Sequence, residues 1–196
     1  MPRIVDHAAR RREIVYALWM VIHQQGIATA SLRTVAAEAQ ISIGRIQHYF
    51  PSKDALVHEG CRELVTTAEA QHLNTDTGDA LADLTALAVH TIPTTQISKV
   101  AATVWCAYVA HVGADPTIAE LVREATEGGH TEMIRRCARA RGHSSPTPDD
   151  MADGLELSAL GDGLMMCVLA GAIRHEEAVD VIHRHIASRS PAKSSA

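Results

Sequence analysis

Between Ser42 and Lys53 the chain places Gly44, Arg45, Gln47, His48 and Tyr49 within a stretch of about two helical turns. Each of these residue types suits a nucleic acid. Arg45 carries the donor fork that pairs with guanine O6 and N7, and Gln47 can bond adenine. His48 and Tyr49 can donate to phosphate oxygens. Gly44 has no side chain, so a helix carrying it can approach a groove closely. Ser31 and Ser42 stand at helix starts, where a hydroxyl and the free amides of the first turn can meet phosphates. Lys53 follows Pro51 and opens a further helix, whose N-terminal dipole and ammonium both favour a phosphate. Arg33, two residues after Ser31, adds a cation to the same stretch.

These side chains work only if helices present them. The periodicity predicts a first helix over about residues 7–25 ending at Gly26, a second over 32–39 capped by Ser31, and a third over 43–49 capped by Ser42 and stopped by Pro51. Ser52 caps a fourth, from about 53 to 73. At about 100° per residue, Ile43, Ile46 and Phe50 of the third helix share an inward face. Gly44, Arg45, His48 and Tyr49 fall opposite, and Gln47 lies at the edge between them. Three helices in about 50 residues, with a three-residue turn before the last, have the dimensions of a helix-turn-helix whose final helix enters the DNA major groove.

Charge is distributed accordingly. Residues 1–53 carry seven basic and three acidic groups, a balance of +4, which leaves −9 for the rest of a chain of net charge −5. A basic head on an acidic body suits a polyanion partner. Arg10, Arg11 and Arg12 are open to two readings, phosphate contacts or a solvated face. His48 and Tyr49 could instead be core aromatics, but their wheel positions favour the outside.

The run "SLRTVAAEAQISIGRIQHYFPSKDAL", residues 31–56, resembles the helix-turn-helix and the stop after it in the TetR family of bacterial transcriptional regulators, and the resemblance extends over about residues 7–60. It implies DNA contacts from Ser31, Ser42, Gly44, Gln47, His48, Tyr49 and Lys53, with Arg45 reading a base. It also implies a larger helical C-terminal domain that dimerises and holds a small molecule. Two positions depart from the family pattern. Gln40 stands where the family usually has the turn glycine, a conformation open to glutamine only at steric cost. Gln47 stands where tyrosine is frequent.

After the turn-rich 75–78 segment, stops at Pro93, Asp115-Pro116, Gly142–Pro146 and Gly171 divide the rest into about five helices. Asp115 and Thr147 each precede a proline at the first helical position, and Thr147 with Asp150 approximates a capping box. The expected fold is all-α: a helix-turn-helix domain over 1–53, a helical regulatory and dimerisation domain over 54–187, and a disordered tail over 188–196. Residues 104–125 resemble the corresponding part of choline-responsive-type relatives, which names no ligand for this chain. Trp105, Tyr108, His111, Met165 and Met166 combine apolar bulk with polar tips, as pocket linings do, although core packing explains such residues equally well. The Gly- and Ala-rich 151–173 segment and the stripe at 178–186 suggest a four-helix interface between two copies, through Leu157, Leu160, Leu164, Val168, Val179, Ile182 and Ile186.

Other function classes find little support. No Cys-x-x-Cys pair occurs and no two of the 12 histidines are three or four apart, so neither a metal site nor a cofactor is expected. Cys61, Cys106, Cys137 and Cys167 read as reduced, mostly buried thiols. No nucleophile–base pairing or phosphate loop points to an enzyme. Ile14–Ile22 is too short to span a bilayer, which takes about 20 apolar residues. Asp6 and Glu13 do not suit a secretion signal. The expected partners are therefore a palindromic DNA operator, a small effector and a second copy, in the cytoplasm. A DNA-binding protein without sequence preference is the main alternative.

Overall fold

A computed structural model describes residues 7–73 and 77–189, and everything below concerns these. They are helical throughout, in the order α1 (His7–Gln25), a 3-10 turn (Ile27–Thr29), α2 (Leu32–Glu38), α3 (Ile43–Tyr49), α4 (Lys53–Leu73), α5 (Ala80–His90), α6 (Gln96–His111), α7 (Pro116–Ala140), α8 (Pro148–Leu169) and α9 (His175–Arg189). Among the described residues no helix is long and apolar enough to cross a membrane. The expected turn at 75–78 lies partly, and the expected tail mostly, outside the described residues; Ser188 and Arg189 belong to α9.

The helix boundaries follow from local chemistry. Ser31 forms a capping box with Thr34, Ser42 accepts from the Arg45 amide at 3.2 Å, and Ser52 accepts from the Ala55 amide at 3.1 Å. Asp115 caps α7 through the amides of Thr117 and Ile118, and Thr147 forms the expected box with Asp150 at the start of α8. Gln40 sits at φ +54°, the left-handed turn conformation that glycine would adopt without strain. The Gly128-Gly129 pair does not interrupt α7.

The chain divides into two compact units. One comprises residues up to Ala68 together with Thr103–Arg123; the other comprises Glu69–Ala102 and the residues from Glu124 on. The first extends beyond the expected 1–53 module because α4 is fastened along its length. Trp19 Nε1 donates to the Gly60 carbonyl at 3.1 Å, the Tyr108 hydroxyl donates to the Val57 carbonyl at 3.1 Å, and His58 contacts Asp115 at 2.7 Å. Its core includes Ile14, Leu18 and Ile22 of α1, Val35 of α2, Ile46 of α3, and Leu56 and Cys61 of α4.

The second unit is built around Leu84, Leu87, Met133, Cys137, Leu157, Ile182 and Ile186, with Leu160 and Leu164 packed against them. Gly154 and Gly161, one α8 face apart by seven residues, explain how α8 gets so close to its neighbours. A Cβ on Gly154 would lie 2.7 Å from the Ile134 Cα, and one on Gly161 would lie 2.8 Å from the Thr91 hydroxyl. A cluster of ions closes the α7–α8 turn. Arg141 donates to Asp150 at 2.8 Å and also pairs with Asp153, which in turn pairs with Arg189. Asp150 is fully buried. Burial pushes its carboxyl up, but hydrogen bonds from Thr147, Arg141 and His143 outweigh that and hold it well below the usual carboxylate range.

Candidate nucleic-acid interface

α3 has only seven residues, too few to be stable alone, so tertiary contacts must fix its direction. Ile46 and Phe50 supply them from the buried side, at 0% and 1% exposure. Gly44, Arg45, Gln47 and His48 are exposed, and Tyr49 is half-buried. Ser42, Arg33 and Lys53 are exposed as well, and Ser31 is half-buried at the start of α2. The nine residues expected at DNA therefore lie at the starts of α2, α3 and α4 and along the outer face of α3, apart from Arg33 inside α2.

One position departs from the wheel. Ile43, expected on the inward face, is 41% exposed. It is the first residue of the helix, a full turn ahead of the Ile46 contact, and its side chain extends past the surface that α3 packs on. It shares an edge with Gln47, four positions on. Gly44 has no internal explanation: a Cβ there would meet nothing within 4 Å.

The three N-terminal arginines have different environments. Arg10 pairs with Glu13 one turn on, and Arg12 is exposed. Arg11 folds back across the head. Its Nη1 donates to the Tyr49 carbonyl at 2.9 Å, its Nη2 donates to Glu59 at 2.8 Å, and its guanidinium lies 4.5 Å above the Phe50 ring. The Arg11 hydrogen bond holds the Glu59 carboxyl below the usual range against the opposing effect of burial, and Arg62 adds to the lowering. Sequence alone gave no signal for this, because the partners are 38 and 48 residues away. Beside them, His7 of α1 stands over Tyr49 with ring centroids 4.6 Å apart, and His48 is edge-on to Tyr49 at 5.1 Å.

The residues expected at a ligand pocket do not gather into one described cavity. Trp105, Tyr108 and His111 belong to the first unit, Met165 and Met166 to the second. Tyr108 is completely buried with its hydroxyl bonded to Val57, and burial pushes its phenol up. It is a core residue of its unit. Met165 is buried, whereas Met166 is 54% exposed on the outer side of α8. The second unit has a cavity of about 40 Å³ bounded by Leu84, Cys137, Asp153, Leu157 and Arg189, room for a water rather than for a metabolite.

The expected dimer residues also need correcting in part. Leu157, Ile182 and Ile186 are buried in the core of one chain, so they have no surface left for a second copy. An apolar stripe on a helix demands burial but does not say against what. Leu160, Leu164, Val168 and Val179 are half-buried. The outward residues of α8 are instead Met151, Leu155, Ala159, Asp162 and Met166, with Leu155 at 46% exposure. Of the cysteines, Cys61 and Cys137 are buried, Cys106 is half-buried, Cys167 is exposed, and all are free thiols. Burial pushes both buried thiols up to about 11.

Residues 14–59 match the family model of bacterial regulatory proteins of the tetR family, and residues 80–191 match that of the BetI-type transcriptional repressor C-terminal part. Over 191 residues the chain is 26% identical to the HTH-type transcriptional regulator BetI of Burkholderia cenocepacia, covering 95% of this chain and 96% of that protein. The head alone is 44% identical over 57 residues to the HTH-type transcriptional regulator PksA of Bacillus subtilis, 29% of this chain and 28% of that protein. Among solved structures, a transcriptional regulator from Rhodococcus sp. Rha1 is similar at a TM-score of 0.80 and 25% identity, covering 91% of this chain and 94% of that one. A regulator from Saccharomonospora viridis, solved in complex with choline, has the same fold at a TM-score of 0.79 and 24% identity, covering 92% of this chain and 95% of that one.

Proposed function

Because the chain belongs to the TetR family of bacterial transcriptional regulators, with a BetI-type C-terminal part, we propose that it is a homodimeric, ligand-responsive repressor that reads a palindromic operator in the cytoplasm. The observation that carries this is the two-sided character of α3: Ile46 and Phe50 are buried while Gly44, Arg45, Gln47 and His48 are all exposed. Arg45 reads guanine and Gln47 adenine, Ile43 offers its apolar edge to a thymine methyl, and Gly44 admits the helix to the groove. Ser31, Arg33, Ser42, His48, Tyr49 and Lys53 hold the phosphates that set the register.

Dimerisation uses the outward face of α8. Met151, Leu155 and Met166 lie exposed there, and half-buried Leu160, Leu164, Val168 and Val179 are partly open for a second copy to cover. Two copies bring two reading helices to half-sites one or more helical turns apart. An effector that binds one dimer geometry better than the other shifts operator affinity by that difference, typically about 1–3 kcal/mol.

Choline is not the effector proposed here. Quaternary ammonium groups are recognised by cages of aromatic faces. Beyond residue 53 the only Phe, Tyr or Trp residues are Trp105 and Tyr108, and Tyr108 is wholly buried. Anisotropy titration of a candidate palindrome against scrambled DNA at fixed salt tests the function. Equal affinities would leave the non-specific alternative standing.

A further inference from the structure

We infer that Arg11 is a positioning residue for sequence reading, a clamp that sets the angle of α3 rather than a contact to DNA. The inference rests on the proposal that α3 reads bases. The Tyr49 carbonyl is one of the last acceptors of α3, left without an intrahelical partner because Phe50 turns to extended backbone. Arg11 donates to that carbonyl and places its positive charge at the negative end of the helix dipole. The same guanidinium covers the Phe50 ring, and its other arm is fixed to Glu59 on α4. One side chain thus ties α1, the end of α3 and α4 together. A seven-residue helix anchored from inside by Ile46 and Phe50 can still rock about that line. The clamp at its C-terminal end restrains that rocking.

Base reading demands side chains placed to about half an ångström, whereas phosphate contacts tolerate more. Loss of the clamp therefore acts on sequence preference first. Lysine keeps the charge but cannot replace the clamp, since one ammonium has neither the planar face nor the fork that reaches two acceptors at a fixed angle.

The test uses the full chain and two labelled duplexes, one carrying the palindrome recovered by selection from random DNA and one scrambled, titrated across a salt series. Arg11→Lys is expected to lower palindrome affinity about tenfold, the equivalent of one charged hydrogen bond, with scrambled-DNA affinity and the salt slope unchanged. Glu59→Gln is expected to lower palindrome affinity too. A carboxylate acting only through its charge would do the opposite, because its removal favours a polyanion. Wild-type affinity in Arg11→Lys, or a salt slope shallower by about 0.9 on both duplexes in Arg11→Met, overturns the clamp, the latter by showing a direct phosphate contact. A rise in affinity in Glu59→Gln overturns it as well. Melting curves of the three variants separate rocking of α3 from loss of the head: the isosteric Glu59→Gln keeps the test open if an Arg11 variant unfolds. Selection that recovers no palindrome for the wild-type chain removes the base-reading proposal itself, and the clamp with it.

Discussion

Gly44 meets no atom of its own chain, so its lack of a side chain answers to something outside. Replacing it with alanine favours the isolated helix by up to about 1 kcal/mol. Gly44→Ala is therefore expected to melt at or above the wild-type temperature while binding the selected palindrome more weakly. Undiminished binding would mean that no groove wall reaches the α3 backbone. Other single residues differ in how far the sequence reveals them. Ser31, Ser42 and Ser52 are legible as caps because a cap acts on amides two or three positions away. Arg11 is not: three consecutive arginines look alike until the fold brings Tyr49 and Glu59 to one of them. Ile43 shows the limit of a helical wheel, which gives the direction of a side chain but not where the neighbouring surface ends.

At the scale of elements, α4 is the most constrained helix of the head. A Cβ on Gly60 would lie 2.6 Å from Leu18 Cδ2 and 2.7 Å from the Tyr108 hydroxyl. Gly60→Ala is expected to destabilise the protein by about 1–3 kcal/mol in urea unfolding, against the helix-propensity gain that alanine brings elsewhere. The α7–α8 turn depends on Asp150. Its folded carboxyl titrates below the unfolded value near 3.8, so its contribution is present above about pH 5 and fades as the pH falls through 4 and below. Asp150→Asn should cost about 3 kcal/mol near neutrality and make stability less dependent on pH between about 5 and 2. A variant with the parent's acid profile would show that other carboxylates govern it. The Thr147–Asp150 box is readable from four residues of sequence. Its reinforcement by Arg141 and His143 is not, because their approach depends on how α7 ends.

For the whole molecule, the apolar content of α8 and α9 announces burial without assigning it. Leu157, Ile182 and Ile186 turn out to serve the chain's own core, and Gly154 and Gly161 admit Ile134 and Thr91. The all-α architecture and the basic head could be read directly, since both rest on local periodicity and charge. Which face meets a second copy could not. Leu155→Lys is expected to shift the protein from dimer to monomer in sedimentation while keeping its helical content; Leu157→Ala should instead lower stability by about 2–5 kcal/mol whatever the assembly. The most direct test of the central claim is the affinity of the full chain for the palindrome it selects from random DNA, against a scrambled duplex at one physiological salt concentration. A sequence-reading dimer predicts a preference of at least about a thousandfold that collapses in Arg45→Ala and Gln47→Ala. Equal affinity for both duplexes, or a preference untouched by those two substitutions, would contradict it.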